Sequence, residues 1–199
     1  MRRPIHAFIL SLAFVAPAAL AVNAGGQAPD FALTDLAGKP VKLSDHKGST
    51  VVLEWVNPEC PYVRKHYGSA NMQKLQKDYT GREVVWLTIN STRAGHPEYK
   101  QPGEMATWMK KMDASSSATL LDPKGVAGKA YGARTTPHLY IVDPKGVLVY
   151  AGGIDDKRST DIEDVKTSRN YVRAAMDELL AGKKVTNSAT APYGCSVKY

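Results

Sequence analysis

Cys60 stands just past an apolar run, Val51-Val52-Leu53-Glu54-Trp55-Val56, and is followed at once by Pro61 and a stretch of helical character. A strand that hands a cysteine to the start of a helix makes a reactive thiol. The unpaired N–H groups and partial positive charge of a helix N-terminus favour thiolate over thiol. Pro61 suits the first helical position, where the N–H it lacks would have no partner. The only other cysteine, Cys195, lies in the last few residues. Two such sulfurs support thiol–disulfide exchange, in which a thiolate attacks one sulfur of a disulfide and a second thiol completes the reaction. The same pair admits two other arrangements: a static bridge, or a Cys195 that stays unpaired or pairs between molecules. A static bridge would consume the nucleophile, although closing so long a loop would stabilise the fold by roughly 4–5 kcal/mol in the chain-entropy model.

The elements that must position Cys60 follow from periodicity. Thr34 to Leu43, with a turn at Asp35–Lys39, predicts a β-hairpin. Residues 50–56 form the near-continuous apolar run of a buried central strand. From Pro61 to about Tyr79, the residues Val63, Tyr67, Met72, Leu75 and Tyr79 recur at helical spacing, predicting one helix that Gly81 ends. A strand over 84–89, a short helix over 103–112, a strand over 118–122 and a helical turn over 126–131 come next. A second hairpin spans 138–150, and a last helix runs from about Arg169 to Leu180. The order β-β-β-α-β-α-β-α-β-β-α implies an α/β fold with parallel pairing early and an antiparallel edge late. Residues 183–199 read as a polar, turn-rich tail carrying Cys195, mobile if Cys195 is to resolve Cys60.

Arg2 and Arg3, an apolar core from Ala7 to Ala21, and small residues at Ala19, Ala21, Val22 and Ala24 read as a secretory leader cleaved after Ala21 or Ala24. Its apolar stretch is shorter than the roughly 20 residues of a spanning helix, so no membrane anchor is expected once it is removed. About 175 residues remain, enough for one domain over residues 25–182, and the periplasm is the expected compartment. The net charge of +7 includes the two leader arginines, and the remaining lysines are scattered. There is no basic stripe interleaved with aromatics, which argues against a nucleic-acid partner. His66 and His138, with Cys60 and Met72, are the residues that would attract a metal, but their spacing matches no metal motif. No metal or cofactor is expected, and His66 reads as a surface or supporting histidine near Cys60. The sequence leaves the oligomeric state open.

The combination of a strand ending at a cysteine, a proline-led helix and a later Thr136-Pro137 before a strand–turn–strand resembles the thioredoxin-like superfamily. Ala28-Pro29-Asp30-Phe31 and the hairpin after it resemble the N-terminal extension of peroxiredoxins and exported thioredoxin-like reductases. Within that superfamily the chain is most similar to a peroxiredoxin-like redoxin subgroup related to AhpC/TSA. The strings that carry this likeness are Pro61-Tyr62-Val63-Arg64-Lys65-His66-Tyr67, Tyr131-Gly132-Ala133-Arg134-Thr135-Thr136-Pro137-His138, Gly153-Ile154-Asp155-Asp156 and Gly194-Cys195-Ser196-Val197-Lys198. The resemblance implies a central mixed sheet flanked by helices, with an N-terminal β-hairpin extension and a C-terminal tail.

The resemblance also implies roles. In the thioredoxin register Cys60 matches the first, nucleophilic cysteine of Cys-X-X-Cys, and Val63 stands where the second would be. Glu54 then falls where thioredoxins carry a buried carboxylate that takes the proton during exchange. The alternative for Glu54 is a solvent-exposed strand residue. Thr136-Pro137 becomes a cis peptide whose Thr136 backbone pairs with an extended substrate, with Pro61 bordering the same groove; a trans proline opening a strand is the alternative. The peroxidase register fits less well. Asn57 and Leu53 occupy the positions of the expected Thr or Ser and Pro, and Arg134 is offset from the expected arginine. Three functions stay open: an exported thiol–disulfide oxidoreductase resolved by Cys195, a thiol peroxidase acting on a small hydroperoxide, and a non-catalytic binding module. The partner is a thiol or disulfide protein in the first case and a hydroperoxide in the second.

Overall fold

The computed structural model describes residues 23–199. Most of the expected leader, residues 1–22, lies outside them. None of the described helices is long and apolar enough to cross a membrane.

The hairpin forms as β1 (Ala32–Asp35) and β2 (Pro40–Lys42). Asp35 closes its turn by accepting hydrogen bonds from the backbone N–H groups of Ala37 and Lys39. The central strand is β3 (Val51–Trp55), buried along its whole length. After it come α1 (Pro61–Gly68), α2 (Asn71–Thr80), β4 (Val85–Asn90), α3 (Pro102–Lys111), β5 (Ala118–Leu121) and α4 (Val126–Tyr131). Next are the two-residue strand β6 (Thr135–Thr136), the hairpin β7 (His138–Val142) and β8 (Leu148–Gly152), α5 (Tyr171–Leu180), and a second two-residue strand, β9 (Cys195–Ser196). Seven strands make one mixed sheet in the order β2-β1-β5-β4-β3-β7-β8. β3, β4 and β5 run parallel, and β7 joins β3 antiparallel.

Alternation along β3 divides the core. Val51, Leu53 and Trp55 face one side, with Phe31, Leu87, Ile89, Tyr131 and Tyr140. Val52 and Val56 face the other, with Met72, Leu75, Trp86, Ile141 and Met176. Glu54 lies on that second face, the one covered by α1, α2 and α5, as the period of two along a strand requires.

Two expectations are corrected. The helix predicted over 61–79 is broken into α1 and α2, with Ala70 between them at φ 58°. Side chains take up the carbonyls that the break frees: Gln73 donates to the Tyr67 carbonyl at 2.8 Å and Ser69 to that of His66 at 3.2 Å. Helical periodicity survives such a break because each half keeps its own apolar face.

The second correction concerns the tail, which packs closely against the domain. Thr190 bonds to the β8 edge through the Ala151 carbonyl, Tyr150 hydroxyl and Gly153 N–H. Val197 N–H donates to the Arg134 carbonyl at 3.1 Å, and the Tyr199 hydroxyl to that of Ala133 at 2.7 Å. A polar sequence is no bar to such order when its backbone groups find partners.

Candidate redox site

Cys60 is the N-cap residue of α1, delivered by a short turn after β3. Its N–H donates to the Asn57 carbonyl at 3.0 Å, and the Asn57 side chain accepts from Glu59 N–H at 2.9 Å. Pro61 occupies the start of α1, as its missing N–H favours. The Cys60 thiol is buried and donates to the Thr136 carbonyl at 2.9 Å. The Thr136-Pro137 peptide is cis, and the Thr136 carbonyl faces the cysteine.

The edge of β6 is occupied by the protein's own tail. β9 pairs with it antiparallel, with Thr136 opposite Cys195 and Thr135 opposite Ser196. This brings Cys195 beside Cys60, and both thiols are free. Burial, reinforced by the neighbouring Cys60 sulfur, pushes the Cys195 thiol up to about 12. Cys195 therefore keeps its proton in the resting pair. The crossing requires Gly194, whose φ is 137°; a Cβ there would lie 2.0 Å from the Thr136 carbonyl oxygen.

Glu54 is wholly buried and its carboxylate collects four donors. Trp86 Nε1 at 2.8 Å, Gln76 Nε2 at 3.0 Å and Thr88 Oγ1 at 3.3 Å share one oxygen, and the Tyr67 hydroxyl takes the other at 2.9 Å. Burial raises its pKa, opposed by the hydrogen bonds from Trp86, Tyr67, Gln76 and Thr88. A carboxylate with this balance readily accepts a proton. Tyr67 belongs to α1, the helix that begins at Cys60, so the acid and the thiol share one helix as scaffold.

The structure thus brings together Cys60, Cys195, Thr136, Pro137 and Pro61, with Glu54 beneath the same helix. Of the two places expected for His66 the surface is excluded: it is buried against the tail, with Nε2 3.0 Å from the Tyr193 hydroxyl. Burial lowers its pKa to about 3. His138 is buried as well, beside the Tyr140 hydroxyl at 3.0 Å. Leu53, on the opposite face of β3, points away from Cys60, and Arg134 is exposed. Sequence reasoning missed Tyr193 and Asp155, although each lies in or beside a string that carries the resemblance.

Residues 24–151 match the model of the AhpC/TSA family. The thioredoxin-like protein YneN of Bacillus subtilis (strain 168) is 32% identical over 127 residues, covering 64% of this chain and 69% of that protein. The thiol-disulfide oxidoreductase ResA of Bacillus thuringiensis subsp. konkukian (strain 97-27) is 26% identical over 125 residues, covering 63% of this chain and 66% of that protein. Among solved structures, an uncharacterized conserved protein from Geobacillus kaustophilus superposes with a TM-score of 0.77 at 31% identity, covering 88% of this chain and 92% of that one.

Proposed function

The chain belongs to the AhpC/TSA family and has a thioredoxin-like fold, and we propose that it is an exported thiol–disulfide oxidoreductase whose nucleophile is Cys60 and whose resolving thiol is Cys195. The observation that carries this reading is the β6–β9 pairing, which sets Cys195 opposite Thr136, the residue whose carbonyl accepts from the Cys60 thiol. The name of ResA, a thiol-disulfide oxidoreductase, supports the same chemistry. Export to the periplasm rests on the leader-like N-terminus.

In the reductive direction the Cys60 thiolate attacks one sulfur of a partner's disulfide. The partner's S–S bond breaks, and the departing thiolate takes up a proton. Once Cys60 is held in the mixed disulfide its share in raising the Cys195 pKa is gone, which leaves burial and the Glu98 charge raising it and the Lys198 charge lowering it. Cys195 then loses its proton and attacks the Cys60 sulfur; the partner's second thiolate leaves and is protonated. Two electrons pass from the cysteine pair to the partner, and a thiol reductant of the compartment restores the pair. Glu54, its pKa raised by burial, is the proton acceptor on the face that α1 covers. Thr136, Pro137 and Pro61 border the groove.

Family membership favours a second substrate, a hydroperoxide, for the same two cysteines. Asn57, Leu53 and Arg134 do not reproduce the expected peroxidatic partners, which places the disulfide first.

The test uses a Cys195→Ser variant and a model protein disulfide. The variant is expected to accumulate a covalent adduct on Cys60, read by intact mass, whereas the unaltered protein releases reduced substrate and gains an internal disulfide. No adduct in Cys195→Ser, or undiminished turnover in Cys60→Ser, overturns the reading. Oxidation of Cys60 by hydroperoxide faster than by the disulfide moves the assignment to peroxidase.

A further inference from the structure

Beside the cysteine pair lies a buried polar cluster that the exchange chemistry does not use. Lys65 and His66 of α1 and Asp155, after β8, have fully buried side chains. Tyr193, two residues before Cys195, enters this cluster from the tail. Its hydroxyl donates to Asp155 Oδ1 and lies 3.0 Å from His66 Nε2. The Asn71 amide donates to His66 Nδ1 at 2.9 Å, so Nδ1 accepts and the ring proton sits on Nε2, directed at the Tyr193 oxygen. The Asn71 amide is itself oriented by Asn170 Nδ2, which approaches its oxygen at 3.5 Å. One directed chain of donors thus runs Asn170 to Asn71 to His66 to Tyr193 to Asp155.

The Tyr193 ring is held as firmly as its hydroxyl. It meets Tyr62 edge-on with centroids 5.7 Å apart, and Lys65 Nζ lies 5.8 Å from its centre. Tyr62, Lys65 and His66 are spaced i, i+3, i+4 and therefore share one face of α1, the helix capped by Cys60. Tyr193 is clamped to the helix that carries one sulfur, and Gly194 then turns the chain so that the other sulfur meets it.

We propose that Tyr193 is a positioning residue for disulfide exchange: its hydroxyl, fixed by Asp155 and His66, sets the effective concentration of Cys195 at Cys60. The inference rests on the reading that these two cysteines form a reversible pair. An anchor present in the reduced protein means that the ordering of the tail precedes bond formation, which favours the internal disulfide over mixed disulfides with solution thiols.

The experiment equilibrates the full chain with reduced and oxidised glutathione and measures the fraction holding the Cys60–Cys195 bond. Tyr193→Phe is expected to lower the equilibrium constant about tenfold, which makes the potential about 30 mV more oxidising. Asp155→Asn, which weakens the acceptor while keeping its shape, is expected to shift it less in the same direction. Tyr79→Phe is the control. It removes a tyrosine–aspartate bond of the same kind, between the Tyr79 hydroxyl and Asp177 at 2.9 Å, away from the cysteines, and is expected to leave the potential unchanged. An unchanged potential in Tyr193→Phe overturns the inference while the internal disulfide of the unaltered protein still upholds the proposed function. A potential that moves equally in Tyr79→Phe overturns it too, since general destabilisation would then be the cause. If the unaltered protein forms no internal disulfide at all, both readings fall.

Discussion

Two carboxylates are buried on either side of α1, and the protein treats them in opposite ways. Glu54 is surrounded by uncharged donors, four in number, and no ion pairs with it among the described residues. Asp155 has a cation nearby, Lys65 Nζ at 4.0 Å, yet its Oδ2 accepts no hydrogen bond. Uncharged donors in a dry pocket leave a carboxylate poised to take a proton, because desolvation still opposes its charge. A carboxylate set beside a cation and bonded to a tyrosine hydroxyl serves as a fixed anchor. The difference separates a group suited to proton transfer from one suited to holding the tail.

The largest break in this contrast is expected from Asp155→Ala. It leaves the Lys65 ammonium buried without its carboxylate and should destabilise the protein by about 3–5 kcal/mol in denaturant unfolding. Glu54→Leu removes the acceptor of four donors but strands no cation, and should destabilise by roughly 1–3 kcal/mol. Glu54→Gln is expected to be milder than Glu54→Leu, since its oxygen can serve Trp86 and Gln76 while its amide donates to Tyr67. If Glu54→Leu proves costlier than Asp155→Ala, the assignment of the charged cluster to Asp155 is wrong.

The finest contrast is in pH. Glu54 has a raised folded pKa, so between its unfolded value and that raised value the folded state holds the extra proton, and stability falls as pH rises. His66 has a folded pKa lowered to about 3 by burial, with the Lys65 charge adding to it. Between about 3 and its unfolded value near 6.5 the unfolded state holds the extra proton, and stability falls as pH drops. Each effect has a limiting slope of about 1.4 kcal/mol per pH unit. Unfolding curves from pH 4 to 8 should show Glu54→Gln relieving the alkaline loss and His66→Gln relieving the acid loss. The same sign for both would mean that the two sites are electrostatically alike.

Much of this architecture is legible in the sequence because it is local or periodic. The apolar run before Cys60, the turn at Asp35–Lys39 and the Thr136-Pro137 step each carry their signal within a few residues. Glu54 is legible too, as the one charge in a buried strand. The break at Ala70 is not, because Val63 and Tyr67 keep one apolar phase while Met72, Leu75 and Tyr79 keep another. The β6–β9 pairing has no periodicity to show, each strand being two residues long. Tyr193 and Asp155 are joined by a contact across 38 residues, with nothing local to mark it. What binds them is tertiary, and a single sequence reports tertiary contacts only through a likeness to other chains.

In the exchange proposed above, the strand pairing that fills the groove also determines how the reaction scales. Both sulfurs belong to one chain and are held in register by β6 and β9, so resolution of a mixed disulfide by Cys195 is first order. Its rate does not fall when the protein is dilute, and no second copy has to arrive. The partner-dependent step is the entry of an external disulfide, which must compete with β9 for the same backbone edge. Abundance of the protein then governs how often exchange begins, while its own tail governs how quickly it ends.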